Sequence, residues 1–229
     1  MRRTERMAWR AVVACAGLIF GVGGGALGQV TNFTTNAWTV NANGSWTNAL
    51  NWNPNVNFPD AYGAVAYVTN NVSGANRIVY VDTNVTVGAL FWGDADRGNQ
   101  IDIRTTNAVP SRITFNTGDG GQALLVHGTG DRATHDFGNG GDDIDAGIDL
   151  TDPDGLLINS WQTLVFNGRA GAIGTEAGRS FNGGGYDITK VEDGAIIFRN
   201  ILTNVGNVFV RDGEFRVDME GNPLLKPGI

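Results

Sequence analysis

A chain of 229 residues, 41% apolar and 17% charged, is long enough for one or two domains and apolar enough for a core. Its formal net charge of −7 argues against nucleic acid or anionic lipid as a partner and leaves cations, or plain solubility, as what the acidity serves. Thirty-four glycines and a heavily used asparagine, as in "NALNWNPNVNF", punctuate Val, Ile and Phe alternations, a pattern of many short strands joined by many turns.

The chain opens with "MRRTERMAWRAVVACAGLIFGVGGGALGQ". Arg2, Arg3, Arg6 and Arg10 supply a basic region, Ala11 to Phe20 an apolar one, and Ala26-Leu27-Gly28 a small-x-small cleavage site, the three parts of a secretory signal peptide over residues 1–28. The alternative, an uncleaved anchor, needs a longer apolar run than this glycine-broken one to cross ~30 Å of hydrocarbon. Cleavage removes four arginines and one glutamate and leaves 12 Lys+Arg against 22 Asp+Glu, a net charge of −10. Cys15, the only cysteine, goes with the signal, so the exported chain has neither disulfides nor thiolate metal ligands and depends on packing and hydrogen bonds.

Residues 29–75 read as an N-terminal capping region and 76–229 as stacked coils with an acidic loop at 131–154. After the signal no apolar 3.6-residue periodicity is sustained, whereas period-2 runs recur. "RIVYVD" (Arg77–Asp82) leads to "NVTVGALFW" (Asn84–Trp92), then "NQIDIRT", "SRITFNT" and "QALLVHG". Beyond the acidic stretch come "GLLINSWQTLVFNG", "DITKV", "GAIIFRN", "GNVFVRD" and "GEFRVDM". Gly194-x-Ile196-x-Phe198 returns as Gly213-x-Phe215-x-Val217, and Gly88-x-Leu90-x-Trp92 is a similar phrase upstream. Strand alternation inside a phrase that recurs near 20 residues marks a β-solenoid, whose coils stack about 4.8 Å apart. An antiparallel sandwich or barrel is the competing all-β architecture. In the stacked reading Val79, Val81, Val85, Val87, Leu90, Ile196, Phe198, Val208, Val210, Phe215 and Val217 are buried.

The succession Ile188-x-Lys190, Gly194-x-Ile196-x-Phe198, Gly206-x-Val208-x-Val210, Gly213-x-Phe215-x-Val217 resembles the autotransporter-associated β-strand repeat, a family of secreted bacterial surface and passenger proteins. Its pattern is a hydrophobic-x-Lys-x-Gly-x-Gly-x-Leu-x-Leu strand linked to a Gly-x-Leu-x-Val strand; here Glu192-Asp193 stand where a glycine is usual. "WTVNANGSWTNALNWNPNVNFPDAYGAVAYV" and the following "IVYVDTNVTVGALFW" resemble the opening of large proteins built from these repeats. The resemblance implies a right-handed parallel β-helix, exported to the cell surface, the outer membrane or beyond, with an adhesin-like or stalk role and surface polysaccharide or other surface proteins as partners. Such proteins continue to a barrel or sorting anchor, so the resemblance also implies that this chain is an N-terminal fragment. No membrane insertion is expected of it.

Three constellations offer chemistry. Asp131, Asp136, Asp142, Asp143, Asp145, Asp149, Asp152 and Asp154 crowd one stretch, and Asp142, Asp143 and Asp145 at its centre suit calcium, which takes six to eight oxygens. "GNGGDDID" is similar to the calcium-binding β-roll nonapeptide but departs from it at Asn139 and Asp145 and occurs once; the alternative is a solvated acidic loop with no cofactor. Trp38, Trp46 and Trp52 read either as a sugar-stacking platform or as the cap of an open core. Asp142-Asp143, with His127 or His135, is the one pair on which a polysaccharide lyase or hydrolase reading can rest, and no flanking catalytic motif accompanies it. The expectation is therefore no enzyme but a structural module, with a carbohydrate-binding or carbohydrate-degrading protein as the alternative.

Overall fold

In chain order the strands are β1 (Thr35–Trp38), β2 (Gly44–Ser45) and, after one turn of 3-10 helix at Ala49–Asn51, β3 (Trp52–Asn53). Five triplets follow. They are β4 (Val65–Val68), β5 (Arg77–Tyr80) and β6 (Val85–Val87); β7 (Ala89–Trp92), β8 (Ile101–Arg104) and β9 (Arg112–Phe115); β10 (Ala123–His127), β11 (Asp142–Asp145) and β12 (Gly147–Leu150); β13 (Leu156–Ser160), β14 (Leu164–Phe166) and β15 (Phe181–Asn182); and β16 (Ile188–Val191), β17 (Ala195–Phe198) and β18 (Leu202–Thr203). β19 (Val208–Val210) and β20 (Glu214–Val217) close the series. These come from a computed structural model that describes residues 34–95, 98–105, 111–118, 121–128, 142–161, 163–166, 180–199 and 202–217, excepting the side chains of Asp142, Asp143 and Asp145. Residues Phe33–Ile229 form one unit; the signal-peptide reading of 1–28 lies outside the described residues.

The protein is all-β. Each triplet contributes one strand to each of three sheets. The first sheet runs β3-β1-β4-β7-β10-β13-β16-β19, the second β2-β5-β8-β11-β14-β17-β20, and the third β6-β9-β12-β15-β18. Among the described strands only β1–β3 is antiparallel; every other pairing is parallel. Parallel strands buried on one face place like positions in line, and the core is a set of such lines. Ala66, Leu90, Leu125 and Ile158 occupy one in the first sheet, all with no exposed surface. Ile103, Ile144, Phe166 and Phe198 follow one another in the second sheet, and Ile113, Ile148 and Phe181 in the third. Phe166 stacks on Phe198 at 4.6 Å between ring centroids.

The short phrase repeat falls into this scheme. Ile196 lies opposite Phe215 and Phe198 opposite Val217, so the phrases at Gly194 and Gly213 are neighbours in the second sheet. The phrases at Gly88 and Gly206 belong to the first sheet instead. Gly213 takes φ of 76°, and a Cβ there would collide with the carbonyl oxygens of Gly194 and Glu192, so this corner admits no side chain.

Four expectations are corrected. The circuits are not near 20 residues throughout: from Ala89 to its partner Leu124 is 35 positions, and from Thr189 to Phe209 is 20. Parallel stacking starts at β1 and β4, so residues 29–75 are not a cap separate from coils that begin at 76. The acidic loop at 131–154 is wrong over its second half, since Asp142–Asp145 and Gly147–Leu150 are strands; Ile144, Ile148 and Leu150 supply enough inward apolar surface to hold them. Its first half, through 141, lies outside the described residues. Val208 and Val210 are 37% and 46% exposed, because β19 is the last described strand of its sheet and has a described neighbour on one side only. The other expected core positions are buried, or half-buried at Phe215 and Val217.

Candidate functional site

The three tryptophans sit where the first two sheets begin. Trp38 and Trp52 are register partners on β1 and β3, and Trp46 follows β2. Their rings meet edge to face, Trp38–Trp52 at 5.2 Å and Trp46–Trp52 at 4.9 Å. Each indole N–H donates to a backbone carbonyl: Trp38 to Val40, Trp46 to Pro59 and Trp52 to Trp46. With 3%, 0% and 1% of their surfaces exposed they present no ring face to a sugar, which corrects the stacking-platform reading. Beside them Asp82 accepts hydrogen bonds from Ser45 Oγ, Thr47 Oγ1 and the Thr47 amide. Burial opposes ionisation of Asp82, but the Ser45 and Thr47 hydroxyls together with the backbone amides of Asp82 and Thr47 outweigh it and hold the carboxyl below its ordinary range.

The acidic stretch is spent on structure wherever its side chains are described. Asp149 takes a two-pronged bond from Arg112, at 2.5 and 2.9 Å. Asp152, fully buried, accepts from the Thr117 amide and hydroxyl, both at 2.7 Å, and Asp154 accepts from the Gly121 amide. These carboxylates tie one circuit to the next. Among the described residues no group of three or more His, Cys, Asp and Glu is placed to hold a metal ion. The calcium reading of Asp142, Asp143 and Asp145 rests on side chains outside that description. The Asp142-Asp143 pair lies on β11, and its side chains too are outside that description. His127 is a core residue: fully buried, it meets Ser160 Oγ at 3.2 Å and packs on Trp92 with ring centroids 4.8 Å apart. His135, Asp131 and Asp136 lie outside the described residues.

Two features escaped the sequence reading. The first is Lys190, which continues the inward line Leu125–Ile158 with no exposed surface. Its ammonium donates to the carbonyls of Ser160 (3.4 Å), Val191 (2.7 Å), Glu192 and Asp212 (3.3 Å), and so joins three consecutive circuits. Burial pushes its pKa down, against the opposing pull of Asp212, Glu192 and Asp193. The lysine of the repeat pattern was visible in the sequence, but nothing there shows that its inward place is polar. The second feature is on the other face of the first sheet, where Tyr67 stacks on Phe91 at 4.5 Å with ring planes 16° apart. They are register partners on β4 and β7, both half-buried, and they alternate with buried neighbours. Burial raises the Tyr67 hydroxyl pKa.

No family model, curated protein or solved structure matches this chain. The chemistry is therefore read from its own geometry: Asp82, Asp149, Asp152, His127 and Lys190 all pair with residues of neighbouring circuits. Among the described residues no helix is long and apolar enough to cross a membrane.

Proposed function

We propose that the chain winds as a right-handed parallel β-helix and serves as an exported, surface-associated structural module, a stalk or passenger whose circuits hold loops at fixed spacing. The observation that carries this reading is the pairing rule: from β4 onward each strand lies parallel to the strand three places later, in all three sheets. A chain that returns to each sheet in the same order advances about 4.8 Å per circuit, and right-handed return is the rule for parallel crossovers. β1 and β19 are six spacings apart, about 29 Å. The three-part leader at 1–28 supports export, and the use of Asp82, Asp149, Asp152, His127 and Lys190 as internal ties supports a structural role over a catalytic one. The test is made on the producing cell. The mature chain should begin at Gln29, and a protease added to intact cells should cut it. A chain that keeps Met1 and stays protected inside the cell would overturn the proposal.

A carbohydrate-binding role is the second reading, favoured by the Tyr67–Phe91 pair on the outward face of the first sheet. A panel of surface polysaccharides should then contain a binder that Tyr67→Ala abolishes. A panel with no binder removes this reading and leaves the first intact.

A further inference from the structure

We infer that the glycan of the carbohydrate-binding reading, on which this inference rests, is an uncharged polysaccharide, and that one of its sugar rings stacks on the face of Tyr67 turned toward Ala37. Tyr67 stands in an outward line of the first sheet, with Ala37 of β1 as its register partner on one side and Phe91 of β7 on the other. The two neighbours differ. Phe91 stacks on one face of Tyr67, with centroids 4.5 Å and planes 16° apart, and so fixes the ring. On the other side Ala37 offers only a methyl group, too short to cover a phenol ring. Thr35, exposed, and Val65, half-buried, are the next outward pair along these strands. A hexose over Ala37 sets its C–H face against Tyr67 and its hydroxyl rim toward water and the Tyr67 hydroxyl. Burial raises the pKa of that hydroxyl, so it keeps its proton and can donate.

Charge selects the occupant. β1, β4 and β7 contain no charged residue. Asp102–Arg104, Arg112–Asp149 and Glu214–Arg216 are ion pairs of the second and third sheets. A polyanion meets a chain of net charge −7, with no cation on these three strands to hold it. A polycation finds carboxylates on the other sheets and none on these strands. A second copy packed face to face sets −7 against −7. A neutral sugar chain meets none of these costs, and its rings combine the apolar face and polar rim that Tyr67 itself combines.

The experiment follows migration of the purified full chain through gels that contain one polymer each. The neutral ones are hydroxyethylcellulose, galactomannan and xyloglucan; the polyanions are carboxymethylcellulose, polygalacturonate and dextran sulfate. At least one neutral polymer should retard the wild type, and no polyanion should. Ala37→Leu fills the space over the Tyr67 ring and should weaken that binding about tenfold. Tyr67→Phe keeps the ring and should hold binding within about threefold, whereas Tyr67→Leu should abolish it. Circular dichroism and melting show whether each variant is folded, and Ala37→Thr is the milder filling should Ala37→Leu misfold. Retardation by polyanions alone overturns the inference and leaves the carbohydrate reading standing. Retardation by none of these polymers overturns both. A neutral binder indifferent to the filling of Ala37 overturns the inference, as does Tyr67-dependent self-association without polymer, which assigns the face to a second copy.

Discussion

At the first end of the sheets β3 runs against β1 and three tryptophans close on one another, each N–H paired; at the last, β19 leaves two valines and a phenylalanine in solvent. Among the described residues both ends face the same problem, an apolar interior with no described strand beyond it. The first end solves it by reversing a strand and filling the opening with the largest side chains available. The last end keeps the ladder pattern unchanged and exposes it. Stability should thus be graded along the stack, high where the interior is sealed and low where it is open.

The largest expected effect tests whether the last circuits belong to the same core. Ile196 is fully buried opposite Phe215, and Ile196→Asp places a charge there, costing about 4 kcal/mol or more. Unchanged melting would break the stacked arrangement itself. Next comes the contrast between the ends. Trp52→Ala should cost about 3–5 kcal/mol, while Phe209→Ser should stay within about 0.5 kcal/mol. Equal costs in chemical denaturation would erase the distinction.

Lys190→Met keeps most of the volume but leaves four carbonyls without their cation, and should cost about 1–3 kcal/mol. Hydrogen exchange should show that loss mainly after Val191; uniform loosening would mean that Lys190 does not specifically hold the last circuits. The smallest effect is acid sensitivity of the sealed end. Asp82 is depressed in the folded state, so its contribution is present above the unfolded carboxyl value of about 4 and is lost as pH falls through the lower folded value. Asp82→Asn should flatten the stability curve below about pH 4; a curve parallel to wild type would place the acid response elsewhere.

The strand content and the neighbouring phrases at Gly194 and Gly213 were legible because only 19 positions separate partners such as Ile196 and Phe215 and both phrases alternate cleanly. The other circuits were hard to see for a physical reason. Ladder pairing constrains the strands and leaves the connections unconstrained, so 35 positions separate Ala89 from Leu124 and 20 separate Thr189 from Phe209. Asp142–Asp145 resembled a solvated loop because one inward residue, Ile144, anchors a strand whose other three members are acidic. The tryptophans were singled out correctly as a group, but spacing cannot tell rings that face solvent from rings that face one another. Lys190 was hidden because a buried cation depends on carbonyls from Ser160 and Asp212, 30 and 22 positions away in the chain.

The unequal circuits bear on how such a chain can change. Register is kept by short runs such as Leu124, Leu125 and Val126 against Leu157, Ile158 and Asn159, whatever the number of residues spent between them. A corner can then gain or lose a dozen residues without moving its neighbours' ladder, since lengthening a loop costs little. Duplication of a circuit, followed by drift at its corners alone, is enough to build a longer chain of this kind. The same tolerance makes the corners places where a foreign peptide could be grafted and displayed.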